Sequence, residues 1–423
     1  MPRRLPVLLL LAPALLTGQV PPTAAPTPPP KKNSVTSLLQ PNSLLTGVML
    51  PRYDENRRLS GLFRAKTVTL VTQEMLDGET ITMEQFNPDR SPSGLVEMDK
   101  ARYDQIKGTV RGTGVTKLAK DNITATGTAL VFYIDRAEGF LSGPAVTRIK
   151  PQPETTAMRP VPATLRATAL LSASVPTLLI ANPTSPAAVP AAPTAQVAAA
   201  NAETRSHLRA ALTASASATA AATQFLDAED LLAATAATPA ALPEPMALNI
   251  KPGPEDTVIN CDGGMYFDGK AGTLVFMANV TVDDPQLSMD GANDVQVFFE
   301  KKPPPEPATA KDDPKNKAAA TGIGADLGKI ERIVATGAIH LLQKPKPDAK
   351  ELPIEASGAV FTYHFKSREI ILSGGKPWVR QGGIINRAKK ADQFIRIIDN
   401  TATFSPGGTE TILPVEQMQK KSK

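Results

Sequence analysis

Few residues of this sequence have the type and spacing that catalysis or metal binding requires. The three histidines, His207, His340 and His364, lie far apart, and none has a cysteine or carboxylate at metal-ligand spacing. The single cysteine, Cys261, cannot form an intramolecular disulfide and is predicted to be a small buried residue. The sequence therefore predicts no catalytic residues, no metal site and no cofactor.

Two further patterns resemble binding sites but lack the necessary spacing. The segment GIGADLG, residues 322–328, resembles a dinucleotide fingerprint, yet its last glycine is one residue late and it follows a polar stretch. Four aspartates lie beside or close to glycine or proline, at spacings that a calcium loop does not use: Asp262, Asp268, Asp283 and Asp284. Both patterns are interpreted as loops and turns.

The elements that would position any site are strands, and one strand block occurs twice. ITATGTALVFYIDRAEGFLSG from Ile123 aligns without a gap with IEASGAVFTYHFKSREIILSG from Ile354. In each copy apolar residues alternate with polar ones, which predicts a strand with one apolar face. Thr362 and His364 fall on the opposite, polar face. The matching apolar positions are Leu130, Phe132 and Ile134 in the first copy and Phe361, Tyr363 and Phe365 in the second.

A second matching pair lies upstream of each copy. YDQIKGTV from Tyr103 matches FDGKAGTL from Phe267, with an aspartate before a turn and a glycine closing it. Self-similarity of this kind implies one architecture used twice. The apolar face of such strands must be covered by a second sheet or a ligand, which favours a β-sandwich or jelly roll.

The middle of the chain has a different composition, rich in Ala, Pro and Thr. Its Ala-rich part, about residues 195–237, is predicted to form one helix with partial order at most, because isolated helices are marginal in water. Its occasional apolar anchors are Leu208, Leu212, Phe225, Leu231 and Leu232.

The N-terminus and the charge restrict the compartment and the partner. Arg3 and Arg4 precede an apolar run of about a dozen residues, which is typical of a secretory signal and short for a membrane span. We expect cleavage, with inner-membrane anchoring as the alternative. A net charge of +5 suits a partner with phosphates or acidic sugars, and 4% aromatic residues argue against nucleic acid.

These compositional changes predict the following division of the chain: residues 1–18 signal peptide, 19–49 Pro-rich lead-in, 50–149 first β domain, 150–255 Ala/Pro/Thr-rich linker, 256–414 second β domain and 415–423 basic tail.

Four segments of the second β domain resemble successive strands of the OstA-like family of lipopolysaccharide-transport proteins, in its LptA-like branch: MYFDGKAGTLVFMANVTV (265–282), LSMDGANDVQVFFE (287–300), IERIVATGAIHLLQ (330–343) and IEASGAVFTYHFKSREIILSG (354–374). The start of the first domain, LPRYDENRRLSGLFRAKTVTLV (50–71), resembles the LptC-like branch more loosely. The resemblance implies an all-β fold of two twisted β-jelly-roll or β-taco units, joined by a partly helical or disordered linker.

The resemblance also implies a function. Lipopolysaccharide would bind through its lipid A acyl chains in a groove, and other Lpt-type β-jelly-roll proteins would pair with the edge strands. An ABC transporter and an outer-membrane translocon would act indirectly, in the periplasm of a Gram-negative-type bacterium. The groove candidates are Leu130, Phe132, Ile134, Leu274, Phe276, Val295, Val297, Phe299, Phe361, Tyr363 and Phe365. The phosphate or headgroup candidates are Arg387, Lys389, Lys390 and Arg396.

Other interpretations of the same residues stay open. Alternating apolar residues also form ordinary core, and basic residues also form ordinary solvated surface. The chain is alternatively a strand-rich structural or interaction scaffold of the cell envelope without lipid cargo. A carbohydrate-active enzyme would require paired carboxylates on facing strands, and the sequence offers no convincing pair.

Overall fold

The computed structural model describes residues 40–53, 57–87, 89–120, 122–134, 136–150, 194–229, 253–300, 328–344, 353–398 and 401–413. The predicted signal peptide, the basic tail and the GIGADL stretch lie outside these ranges, as do most of the lead-in and most of the linker. The described residues form helix α1, Thr194–Ala228, and 20 strands. The strands are β1 Leu44–Tyr53, β2 Leu59–Leu70, β3 Met75–Phe86, β4 Pro92–Asp104, β5 Thr109–Lys120, β6 Ile123–Tyr133, β7 Glu138–Ser142, β8 Ala145–Ile149, β9 Thr257–Cys261, β10 Gly264–Asp268, β11 Thr273–Asp283, β12 Leu287–Phe299, β13 Ile330–Gln343, β14 Ile354–His364, β15 Glu369–Ser373, β16 Trp378–Gln381, β17 Ile384–Ala388, β18 Phe394–Ile398, β19 Thr401–Phe404 and β20 Thr409–Ile412.

All the strands belong to one antiparallel sheet whose long strands each serve two layers. β1 to β6 pair in chain order. β6 then pairs with β8 through Ile123–Thr126 and with β7 through Ala129–Tyr133. β14 divides in the same way between β16 and β15. The prediction of an all-β, jelly-roll-type architecture used twice is confirmed.

The layer that contains β7, β10, β15, β18 and β19 is called leaf A, and the layer that contains β8, β9, β16, β17 and β20 is called leaf B. The two repeats join in both leaves, because β7 pairs with β10 and β8 pairs with β9. β11 then pairs with β10 in leaf A and with β9 in leaf B. The described strands of the two repeats therefore form one continuous structure.

A line of irregular residues crosses the long strands where leaf A changes into leaf B, and we call it the crease. On β4–β5, β5–β6, β11–β12, β12–β13 and β13–β14 the pairing register shifts there, as at a β-bulge. Residues with positive φ occupy the crease on six strands: Gly47, Thr80, Gly114, Ala278, Asn279, Gly291 and Gly337. Each bulge bends its strand locally, so that one strand contributes to both leaves.

The main hydrophobic core lies between the two leaves and extends from β2 to β18. It contains completely buried side chains from both leaves, among them Phe132 and Phe276 in leaf A and Leu341 in leaf B. Burying a side chain of this size stabilises the fold by roughly 1.5–3 kcal/mol. The core is therefore what holds the leaves together.

We predict that Gly291→Ala destabilises the fold by about 1–3 kcal/mol, because Gly291 has φ +73° and a new Cβ would lie 2.2 Å from the Ala338 carbonyl oxygen. Gly94→Ala is the matched control, since Gly94 has an ordinary φ and its nearest contact would be 3.4 Å. Denaturant unfolding of both variants measures the difference, and equal midpoints would argue against a strained crease.

Candidate functional site

The structure places most of the predicted groove residues in the closed core between the leaves. Eight of the eleven are buried there, all with less than a tenth of the side chain exposed: Leu130, Phe132, Leu274, Phe276, Val295, Val297, Phe299 and Phe361. Ile134 and Tyr363 are half-buried at its margin, and Phe365 is 38% exposed while its ring lies 4.6 Å from that of Tyr363. In this conformation, lipid contact along the row would require the leaves to separate.

An open apolar cavity lies at the end of the core nearest β1. Its volume is about 440 Å³, within the roughly 300–1,000 Å³ range of small-molecule sites. Both leaves line it, with Phe63 and Met83 from leaf B facing Val68, Ala101 and Val110 from leaf A. Further lining residues are Leu50, Leu76, Ile81, Tyr103 and Ile134, and the wall also includes polar side chains, among them Arg52, Glu84 and Gln85.

Sequence reasoning found only Ile134 among these cavity residues. Period-two alternation could not have found the others, because Phe63 and Val68 lie on the same side of β2 only through a change of phase at the crease. Between these side chains the leaves leave space that the described residues do not fill.

Strand β1 forms a free edge beside this cavity. Its only strand partner among the described residues is β2, so one side of its backbone has no partner in the sheet. Its apolar side chains Leu44, Met49, Leu50 and Tyr53 are exposed, three of them by about 60%. Unpaired edges of this kind are templates for strand addition.

The predicted headgroup residues do not form one group. Arg387 is the last residue but one of β17 in leaf B, and Lys389 and Lys390 lie just after the end of this strand on the exposed surface. Arg396 belongs to β18 in leaf A, where its Nε donates a hydrogen bond to the buried carboxylate of Glu369. Arg396 is therefore already neutralised by a partner within the chain.

Helix α1 covers the outer face of leaf A, which is a correction to two sequence expectations. It is not an isolated helix of partial order, because it packs along much of its length on the sheet. The face of β14 predicted to be polar is not all solvated, since Thr362 is completely buried and the ring of His364 lies 5.7 Å from that of His207 on α1. The physical reason is that small helix residues allow close approach to the strands.

The segment that contains α1 leaves and re-enters the sheet at neighbouring strands. Ile149 at the end of β8 pairs with Thr257 at the start of β9. The carboxylate of Asp256 binds the guanidinium of Arg148 beside this pair. In the second repeat the equivalent strands, β16 and β17, are joined by Gly382 and Gly383 alone. The predicted linker is thus an extension of one hairpin turn.

Two apolar contacts and a polar one hold α1 on leaf A. Near its C-terminus Phe225 and Leu226 pack with Tyr266 and Val275, and the rings of Phe225 and Tyr266 are 5.6 Å apart. Farther along, Ala211 packs with Phe298 and Val334. Between these contacts the completely buried Gln296 accepts a hydrogen bond from Ser215 at 2.9 Å and donates one to Thr219 at 3.1 Å. Since a buried amide must be satisfied, this pair of bonds fixes the register of the helix.

The N-terminal half of α1 covers a polar cluster. Glu369, which is almost completely buried, contacts Arg396 and lies 3.8 Å from Nδ1 of His207. Burial lowers the pKa of His364, and the neighbouring His207 and Arg332 act in the same direction, while Glu369 and Glu331 oppose them. The cluster therefore holds His364 in its neutral form.

Within the described ranges, no three His, Cys, Asp or Glu side chains come together as metal ligands. The one helix described has no stretch apolar enough to span a bilayer.

No protein-family model matches the chain, and no curated protein sequence matches it. Among solved structures it is similar to the crystal structure of LptH from Pseudomonas aeruginosa, the LptA homologous periplasmic component of the conserved lipopolysaccharide transport device. The alignment covers 38% of this chain and 96% of LptH, with 17% identity and a TM-score of 0.27. The case for a function of this chain therefore rests on its own geometry.

We predict that Ala211→Leu weakens the docking of α1, because the side chain is completely buried and extra methyl groups cost about 1–3 kcal/mol in a packed seam. Ala210→Leu, on the exposed side of the helix, is the matched control. Tryptic cleavage after Arg205 and Arg209 should accelerate in the first variant only. Equal cleavage rates would mean that the seam does not hold the helix.

We predict that acidification destabilises the fold through His364. Its pKa is lowered in the folded state, so its contribution is complete above about pH 6.5 and declines as the pH falls from there through the folded value. The free energy of unfolding at pH 7.5 and pH 5.5 should differ less in His364→Asn than in the wild type. His340→Asn is the control. If this variant reduced the difference between the two pH values as much as His364→Asn does, the assignment to His364 would be contradicted.

Proposed function

We propose that this chain binds lipid acyl chains between the two leaves of its sheet and passes them on without chemical change. The observation that carries the proposal is the 440 Å³, largely apolar cavity beside β1, whose wall includes the core residues Val68, Ile81, Ala101 and Val110. Transfer of acyl chains from water would be favourable by about 0.8 kcal/mol for each methylene buried.

We propose lipopolysaccharide, held by its lipid A acyl chains, as the cargo, and the periplasm as the location. The exposed edge of β1 supports a bridge between inner and outer membranes, because another Lpt-type β-jelly-roll protein could add a strand there. Transfer between similar apolar grooves has little intrinsic direction. An ABC transporter before the chain and an outer-membrane translocon after it would supply that direction.

The cavity at the β1 end is the proposed entry point, and the row from Leu130 to Phe365 is the proposed path. Because most of that row is packed, movement of cargo along it requires the leaves to open at the crease. Entry and passage are therefore separate steps, which a probe at each position can distinguish.

One observation favours a second function, a strand-rich scaffold without lipid cargo. Eight predicted groove residues already bury one another, so the fold needs no lipid to complete its core. In that case β1 would bind another protein and the cavity would be an incidental gap.

Photo-crosslinking separates the two functions. A benzophenone side chain in place of Phe63, which lines the cavity, should capture lipopolysaccharide added to the purified protein. The same group in place of Phe361, which is buried, should capture it only if the leaves open. Absence of capture at both positions, together with no lipid by native mass spectrometry, would support the scaffold.

We predict that Ala101→Phe reduces lipid binding by filling the cavity, since Ala101 lies on its wall and is mostly buried. Ala210→Phe, on the exposed surface of α1, should leave binding unchanged. Fluorescence titration with a lipid A analogue measures both variants, and circular dichroism checks that each is folded. Unchanged binding by folded Ala101→Phe would place the lipid elsewhere.

A further inference from the structure

A shallow groove runs along the side of α1, outside the contacts that dock the helix. Its volume is about 690 Å³, and it lies between the helix and the outer face of leaf A. The helix wall consists mainly of small residues, and Asp294 of β12 and Thr336 of β13 form the floor. The helix residues are Leu212, Ser215, Ala216, Thr219, Ala220, Thr223, Gln224 and Asp227.

The floor of the groove contains a charge without a counterion in the described part of the chain. Asp294 is half-buried, and no hydrogen bond or ion pair of its side chain occurs among the described residues. Burial alone raises the pKa of this carboxyl. A half-buried carboxylate is stabilised by a nearby cation, so a molecule that occupies the groove would bind better if it placed a cation beside Asp294.

The exposed side of α1 offers such cations in a self-complementary arrangement. Because a helix has about 3.6 residues per turn, Arg205 and Arg209 lie on the same side of the helix as Leu212, Ala216 and Asp227. Both arginines are exposed, and neither forms an ion pair with a described residue. Arg205 is eleven residues before Ala216, and Asp227 is eleven residues after it.

We propose that the groove of one molecule receives α1 of a second copy of this chain, with the two helices antiparallel about a two-fold axis at Ala216. Arg205 of each copy then lies opposite Asp227 of the other, about 16 Å from the axis. Leu212 of one copy lies opposite Ala220 of the other, and the Ala216 residues of the two copies lie opposite each other on the axis.

The same arrangement supplies the missing cation. In the second copy, Arg209 lies on the groove side of the helix, together with Leu212, Ala216 and Asp227. This side faces the groove floor of the first copy, where Asp294 lies. The two helices thus become the middle layer between two leaves A, and the floor of each groove receives a basic side chain.

The test is the oligomeric state of the purified full chain by analytical ultracentrifugation over a range of concentrations. We expect a monomer–dimer equilibrium. Ala216→Glu should raise the dimer dissociation constant at least about tenfold, because two like charges meet on the axis. Ala210→Glu, on the exposed side of α1 away from the groove, should leave it unchanged.

A charge reversal provides the second variant. Arg205→Asp should weaken the dimer, and the double change Arg205→Asp with Asp227→Arg should restore it, since the ion pairs re-form with opposite sign. A wild-type monomer at every concentration would overturn the proposal. So would a dimer that Ala216→Glu leaves intact, which would indicate contact through strand edges. A lower thermal midpoint of Ala216→Glu at unchanged mass would also overturn it, because a segment of the same chain would then fill the groove.

Discussion

The crease is the constraint on which the rest of the structure depends. Strands of 11 to 14 residues, such as β11 and β13, would otherwise lie in one layer and leave an apolar face exposed along the whole molecule. The bulges turn each strand part of the way along, so that its two halves face each other across a core. At Gly291 and Gly337 the backbone has positive φ and approaches its neighbour so closely that a Cβ has no room. The fold therefore depends on a few backbone positions as well as on apolar burial.

The outer face of leaf A has two regions of different character, and the difference explains why α1 lies where it does. Under the helix several outward side chains are apolar, including Val131, Phe140, Val275 and Val334, and the polar Gln296 forms two hydrogen bonds with the helix. On β2 to β5, by contrast, surface ion pairs such as Arg102 with Asp77 at 2.7 Å cross the strands. Exposed pairs of this kind contribute little to stability, typically about 0–1 kcal/mol, but they keep the surface soluble. The helix therefore covers the apolar region of the outer face, whose exposure to water would be unfavourable.

Strand content, the repeat and the inward face of β6 and β14 could be predicted from sequence because they follow from period-two alternation. Phe132 and Phe361 are buried on the same side of the sheet for that reason. The docking of α1 could not be predicted, since Ala211 and Ala222 are informative only when Phe298 and Val131 are known to lie beneath them. Gln296 is polar and yet completely buried, because it forms hydrogen bonds with Ser215 and Thr219 of a helix far away in sequence. The cavity exists because the side chains of the two leaves do not fill the space between them. The alternation of residues along a strand does not show how well facing side chains fill that space.

The placement of α1 within one hairpin has a kinetic consequence. Pairing β16 with β17 closes a turn of two residues, whereas pairing β8 with β9 closes a segment of 107 residues. Since each doubling of loop length costs about 0.6 kcal/mol of closure entropy, the longer closure is roughly 3–4 kcal/mol less favourable. The second repeat can therefore fold as a local unit, and the junction between repeats must form later. Docking of α1 on β11 to β13 divides this closure into two shorter ones, so the helix would act as an intermediate anchor while the two repeats are joined.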